Sequence, residues 1–440
     1  QNFEHARELG EDERAMTRFQ RAGQHIQQQI ELARQQADIV VVGVHWGVEG
    51  SHTPTDAQRA LGQKIADWGA DVIKIEMPGK GDPFRAFLPY DDANHEVSLR
   101  WITMGRNKRC VTLDLHGEKG HKILLDLVKD ADLVIENFRP GTLEKWGIGY
   151  DAMKAVNPKV VLVRISGYGQ TGPYHKKAGL GTPVTAYSGF TGFHGYPDRA
   201  PISPGVPLAD LMAGMYAVMG GLSAVMNVVK NGGEGQVVDV SLYEPLLRTM
   251  EDKITNYSVN KKLPKIEPLY TGAASPANYY RGTDGRWFVL AASTQNTWSR
   301  LPEAMGMPEL LTDPRFVTNT DRVAHHEELD KIIDDWSSHY ASACEVCKYL
   351  DGFGVPATPI NYIDDIFEDE QMKYRESLKH VQHPVLGDVV VPGIFPVYSG
   401  TPCTIDHLGP EMGSSNEDVY GHDLHMSDAE IEELKEEKII

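Results

Sequence analysis

A chain of 440 residues is longer than one hydrophobic core usually supports, so two or more domains are expected. With 41% hydrophobic and 24% charged residues it has ordinary globular composition. The formal net charge of −19 speaks against nucleic acid or an anionic membrane as partner, because both are bound through basic surface; a phosphorylated ligand held by local cations stays open.

Residues 1–36 are polar and charged throughout and read as a polar helix, not as a signal peptide. Ile39-Val40-Val41-Val42-Gly43-Val44 is a short β-branched run of the kind buried in a parallel sheet. Thr55 with Gln58 resembles a capping box opening a helix through Ile65 and Ala66, Gly69 closes it, and Val72–Ile75 is the next strand. The alternation continues with a strand at Val111–Leu113, a helix near 119–129 and a strand at Leu133–Ile135. Helices near 142–146 and 150–156 then lead to a strand at Val160–Val163. Strands separated by helices in this way predict βαβ units and an α/β fold with a doubly wound parallel sheet.

Residues 208–229 are small, apolar and glycine-dotted, which suits a closely packed helix, yet no apolar run is read as long enough to span a membrane. A second domain is expected to begin near Pro264, with a strand at 286–292 and helices over roughly 298–350. Ser427 with Glu430 opens a charged terminal helix. Of the four cysteines, Cys344 and Cys347 form a lone C-x-x-C in a helical stretch, so they read as two thiols on a helix, and the compartment as reducing and cytosolic.

Three motifs carry chemistry. Gly167-Tyr168-Gly169-Gln170-Thr171-Gly172 matches G-x-G-x-x-G after a strand, but Pro173 and Lys176-Lys177 do not continue as a helix. It therefore reads as a glycine-rich ligand loop, not a dinucleotide fingerprint. His45-Trp46-Gly47-Val48-Glu49 follows the first strand, and the stretch around it, about residues 20–65, resembles the capsule and poly-γ-glutamate synthesis family with its metallophosphatase-like fold. The later strands supply no His-rich loop to complete a binuclear centre, so no metal is expected. Asp210, in Pro207-Leu208-Ala209-Asp210-Leu211, has two readings on its local pattern, a helix N-cap or a catalytic carboxylate.

From about residue 65 to the C-terminus the order and spacing of several motifs resemble the class III CoA transferases, the group of formyl-CoA and carnitine CoA transferases. These are Ala66-Asp67-Trp68-Gly69-Ala70-Asp71-Val72-Ile73-Lys74-Ile75-Glu76, Gly105-Arg106-Asn107-Lys108-Arg109, Leu113-Asp114-Leu115, Glu136-Asn137-Phe138-Arg139-Pro140-Gly141 and Ile165-Ser166-Gly167-Tyr168-Gly169-Gln170. Later come His383-Pro384-Val385-Leu386-Gly387 and Asn416-Glu417-Asp418-Val419-Tyr420-Gly421. The resemblance implies a Rossmann-like large domain at 1–240, a smaller α+β domain at 264–365, and a segment at 380–440 returning to the large domain. Two chains would interlock as a homodimer, or the chain would join a related subunit in a heteromer.

What the resemblance further implies is a catalytic carboxylate at Asp210 and coenzyme A contacts at Asn107, Arg109, Leu113, Asn137, Phe138 and Lys145, with Arg109 and Lys145 meeting phosphates. The substrates would be an acyl-CoA thioester and a small carboxylic acid, with no permanently bound cofactor, because covalent catalysis through an aspartyl anhydride and an aspartyl-CoA thioester needs no metal or redox group. The related α-methylacyl-CoA racemases carry a histidine base where Leu180 stands here, which disfavours acyl-CoA isomerisation. The sequence departs from the transferases at Gly181, where an acidic residue is common, at the loop between Tyr270 and Arg281, and at His45–Thr55 after the first strand. A non-catalytic subunit is the remaining alternative, and the presence of Asp210 argues against it.

Overall fold

The β-branched runs pair side by side. A computed structural model describes residues 40–44, 65–92, 97–264, 266 and 273–440. The expected polar helix at 1–36, the Thr55–Gln58 capping box and the His45–Thr55 loop lie outside the described residues. Strands β1 (Val40–Val44), β2 (Asp71–Glu76), β3 (Lys108–Thr112), β4 (Leu133–Glu136), β5 (Val161–Ser166) and β6 (Val237–Ser241) form one parallel sheet in the order β3-β2-β1-β4-β5-β6. The chain runs outward from β1 to β3, then returns to the other side of β1 as β4. The carboxyl ends flanking that reversal are where open parallel sheets bind ligands.

Every residue of β4 and β5 is buried, as apolar strands covered on both faces must be. One face packs Ile73, Ile75, Val134 and Leu162 against Ile123, Leu124 and Leu127 of the Glu118–Val128 helix, together with Leu143 and Met153. The other face meets the Leu208–Asn231 helix. A Cβ at Gly221 would lie 3.1 Å from Val163 and 3.3 Å from Leu133, so the missing side chain lets helix and sheet approach. By length and composition this helix could cross a membrane, which corrects the expectation that no run reaches that length. Ala209, Ala213, Ala217, Gly221, Ala224 and Val228 are buried in it, so its apolar composition serves packing on the sheet.

Strand β3 begins three residues earlier than its apolar pattern indicates, because Lys108 and Arg109 belong to it. The Lys108 ammonium is buried and donates to the Met104 carbonyl, and Arg109 is paired with carboxylates. β3 is an edge strand, and the C-terminal segment covers it. The Thr112 N–H donates to Asn416 Oδ1 at 2.8 Å, Ser415 N–H to the Cys110 carbonyl at 2.9 Å, and Tyr420 Oη to the Thr112 carbonyl at 2.7 Å. Val419, Tyr420, Ile431 and Leu434 extend the same core, and Ser427 and Glu430 form the anticipated capping box of the Asp428–Glu436 helix.

The chain divides into two compact units, the first comprising the described residues up to 188 with 205–249 and 379–440, the second 189–204 with 250–378. The second unit holds an antiparallel sheet of β7 (Ala277–Arg281), β8 (Trp287–Ala291) and β9 (Ala357–Pro359). Helices Gln295–Ala304, His326–Ser337 and Ala343–Asp351 close its core around Phe288, Trp298, Leu329 and Leu350. Arg322 is fully buried there, donating to the Ser275 and Phe316 carbonyls while its guanidinium lies 4.8 Å from the Trp298 ring centre. On the Ala343–Asp351 helix Cys344 is exposed and Cys347 buried, and burial pushes the Cys347 thiol up to about 12.

Candidate active site

Asp210 is the third residue of the 24-residue helix Leu208–Asn231 and is 3% exposed. Pro207, not Asp210, holds the N-cap position, so the capping reading of the carboxylate fails. Nor can a reciprocal box form at this end, because proline has no N–H to give. The first turn of a long helix does favour negative charge through its unpaired amides and its dipole.

The carboxylate is held against the backbone of Gly181. A Cβ placed on Gly181 would stand 1.8 Å from Asp210 Oδ2 and 3.0 Å from its Cγ. Where the sequence reading noted a missing acidic side chain, the geometry supplies the reason: Asp210 occupies the space that any side chain at 181 would need. Gly181 opens the short Gly181–Tyr187 helix, in which Thr185 Oγ1 donates to the Gly181 carbonyl at 2.8 Å. Leu180, just before it, is extended and 43% exposed.

The glycine-rich motif after β5 belongs to the same surroundings. Cβ atoms on Gly167 or Gly179 would each lie 2.9 Å from the other's Cα, so the two backbones touch only because both are glycine. Gly169 takes φ +89, and Asp239 on β6 fixes the turn by accepting the Gln170 N–H at 2.9 Å. Around the loop, Tyr168 packs edge-on against Tyr187 at 5.0 Å and Tyr174 at 6.1 Å, and Tyr187 against Tyr243 at 5.4 Å. The Lys177 ammonium sits 5.2 Å from the ring centres of both Tyr168 and Tyr174, a cation–π arrangement. The sequence reading missed this cluster. Its members, spread from 168 to 243, follow neither helical nor strand periodicity.

At the carboxyl end of β4, Asn137 is half-buried and Lys145 exposed, while Phe138 is 3% exposed, with its ring in the core and edge-on to Trp146 at 5.3 Å. Leu113, after β3, is also fully buried. Arg109 is shared among three carboxylates, Asp71 at 2.9 Å and Asp418 and Asp423 at 2.7 Å each, which hold its guanidinium above its usual range despite burial. Asn107, at φ 58, donates to the Thr404 carbonyl and accepts the Asp406 N–H. The expected coenzyme contacts thus divide. Asn137 follows the end of β4, Lys145 is exposed at the end of the short Thr142–Lys145 helix, Leu113 and Phe138 give their side chains to the core, and Asn107 and Arg109 bind the C-terminal segment. Among the described residues no group of three or more His, Cys, Asp or Glu could hold a metal ion.

Residues 57–416 match the model of CoA-transferase family III. The chain belongs to that family. This CoA-transferase is 38% identical over 379 residues to a succinyl-CoA–D-citramalate CoA-transferase of Chloroflexus aurantiacus, covering 86% of this chain and 93% of the relative. It is 35% identical to the alpha subunit of a succinyl-CoA–L-malate CoA-transferase from Chloroflexus aurantiacus, over 86% of this chain and 87% of that one. Among solved structures, a CAIB/BAIF family protein from Brucella suis superposes with a TM-score of 0.73 at 30% identity, covering 87% of this chain and 98% of its own. Residues 2–79 of the CoA-transferase also match a bacterial capsule synthesis protein model, in a stretch that lies mostly outside the described residues.

Proposed function

We propose that this CoA-transferase moves coenzyme A from an acyl-CoA donor to a carboxylic acid with Asp210 as the covalent carrier. A carboxylate oxygen of Asp210 attacks the donor thioester carbonyl, the C–S bond breaks, and a mixed anhydride and CoA thiolate form. The thiolate attacks the aspartyl carbonyl, releasing the donor acid and leaving a β-aspartyl-CoA thioester. The acceptor carboxylate attacks that thioester, giving a second anhydride and thiolate. The thiolate then takes the acceptor acyl group and restores Asp210. Atoms and charge balance at every step without a proton, metal or redox partner.

The observation that carries this reading is the buried Asp210 carboxylate in a helix first turn, lodged against Gly181 beside a glycine-rich loop. We assign Lys145 to a phosphate of the coenzyme with Asn137 beside it. Leu113 and Phe138 would meet the coenzyme through backbone atoms, with Asn107 and Arg109 supporting the cradle from behind. The strand order supports calling the large domain, residues 1–240, Rossmann-like, with a small domain at 264–365 and a returning segment at 380–440. Succinyl-CoA is the donor we propose and a dicarboxylic acid the acceptor, because the named relatives act on succinyl-CoA with citramalate or malate. A cytoplasmic homodimer, or a heteromer with a related subunit, is the assembly proposed. The exposed stripe of Met215, Met219, Met226 and Val229 on the Leu208–Asn231 helix supports a covering partner.

Mass spectrometry after incubation with succinyl-CoA tests the mechanism. A CoA adduct mapped to Asp210 in the native chain, and missing from Asp210→Ala, is the expected result. Binding of CoA with no adduct from succinyl-CoA or acetyl-CoA would overturn the covalent role and favour a non-catalytic subunit.

A further inference from the structure

A charge network links the end of β4, next to Asn137, to the short Thr142–Lys145 helix. Glu136, the last residue of β4, has no exposed surface, and Arg164 on the neighbouring β5 is 7% exposed. Arg164 Nε donates to Glu136 Oε1 at 2.5 Å, while the other oxygen of Glu136 accepts the Phe138 N–H at 2.6 Å. The far side of the same guanidinium donates through Nη1 and Nη2 to Glu144 Oε1 and Oε2, at 2.6 and 3.2 Å. One side chain thereby grips both ends of the segment between Glu136 and Lys145.

That segment needs gripping. The Thr142–Lys145 helix is four residues long and is bracketed by Gly141 at φ +89 and Gly147 at φ +75, positions that let the backbone pivot. Leu143 is buried and fixes the depth of the helix, but a single apolar anchor leaves rotation about it open. The fork of Arg164 on Glu144 removes that freedom, and the Glu136–Phe138 hydrogen bond fixes the turn at the other end. Burying a guanidinium and a carboxylate carries a desolvation cost that packed apolar residues would not, so stability alone is a weak reason for the network. Its place, next to the residues assigned above to the coenzyme at the carboxyl end of the sheet, supplies a better one.

We propose that Arg164 is a positioning residue for coenzyme A, acting through Glu136 and Glu144 to hold Asn137 and Lys145 at the spacing the coenzyme requires. The inference rests on the assignment of Asn137 and Lys145 to the coenzyme given above.

The test measures CoA affinity by isothermal titration calorimetry, together with the single-turnover rate of Asp210 adduct formation at saturating succinyl-CoA. Glu144→Gln is the first variant, because the Glu144 side chain is 46% exposed and its neutralisation leaves no buried charge unpaired. It should bind CoA about tenfold more weakly, close to 1.4 kcal/mol, with a saturated rate within about twofold of the native one. Arg164→Lys should bind CoA at least as weakly as Glu144→Gln, because an ammonium cannot fork onto both carboxylates. A purely structural role would lower the melting temperature of these variants and leave the affinity of the folded protein alone. Native affinity in a folded Glu144→Gln chain, or a loss confined to the saturated rate, overturns the proposal. If the unaltered protein itself fails to bind CoA, the coenzyme assignment falls and this inference with it, a result distinct from native binding with insensitive variants.

Discussion

A side chain at position 181 and the Asp210 carboxylate compete for one volume. An alanine methyl there would sit 1.8 Å from Oδ2, far inside contact distance, so either the helix start or the Asp210 rotamer must move. Misplacing a nucleophile by about 1 Å can cost about a hundredfold in rate. Gly181→Ala should therefore form the aspartyl adduct about a hundredfold more slowly while binding CoA with nearly native affinity. Stopped reactions resolved by mass spectrometry, beside calorimetric CoA titration, would show it, and an unslowed variant would mean that Asp210 does not act from the observed position. A second residue carries a pH signature. Burial and the neighbouring Lys74 ammonium push Lys108 down from its ordinary 10.5 to about 7. Between those values the unfolded chain holds more protons at this site than the folded one, so the contribution of Lys108 to stability rises with pH across that window and its penalty is complete below pH 7. Lys108→Met should thus gain on the native chain most near pH 6–7, and the gap should narrow towards pH 10. Urea unfolding at stepped pH measures it, and a gap independent of pH would refute the shift.

Among the elements, the Glu118–Val128 helix depends on one missing side chain. A Cβ on Gly120 would stand 1.7 Å from the Asp114 carbonyl oxygen, a backbone atom that cannot swing aside. Alanine in a helix interior is worth about 1 kcal/mol over glycine, while forcing a packed contact apart costs about 1–3 kcal/mol. With a backbone atom in the way the upper end of that cost applies, and Gly120→Ala should lower unfolding stability by up to about 2 kcal/mol, the difference of those terms, in a urea titration. A stabilised variant would mean that the strand-to-helix turn can relax outward. The same logic applies to Gly221 on the opposite face of the sheet, where the nearest atom is a Val163 methyl at 3.1 Å and not a backbone oxygen at 1.7 Å, so a smaller effect is expected.

For the molecule as a whole, the proposed pairing of two chains has a direct hydrodynamic reading. Sedimentation should give twice the 48.8 kDa chain mass, or a complex with a related subunit if one is supplied. Met219→Glu puts a charge into the exposed apolar stripe of the Leu208–Asn231 helix. It should reduce the recovery of assembled protein, and an unaltered yield would remove that helix face from the interface.

Much of this was legible in the chain order alone. Short apolar runs at Ile39–Val44, Val72–Ile75, Leu133–Ile135 and Val160–Val163 marked the strands β1, β2, β4 and β5, because strands of parallel sheets read as near-continuous apolar runs. The order of short motifs from residue 65 onward identified the transferase family and singled out Asp210. β6 escaped because an edge strand needs no continuous apolar run, and its pattern is buried only at Val240 and Ser241. The placement of individual side chains was decided only in three dimensions. That Arg109 pairs with Asp418, 309 positions away, is visible only in the fold. So is the entry of the Phe138 ring into the core. Periodicity reports which face of an element is buried, and motif order reports ancestry. Neither carries the long-range contacts by which Gly181 seats Asp210 and Arg164 braces Glu136 and Glu144, because those depend on backbones that meet only when the sheet has formed.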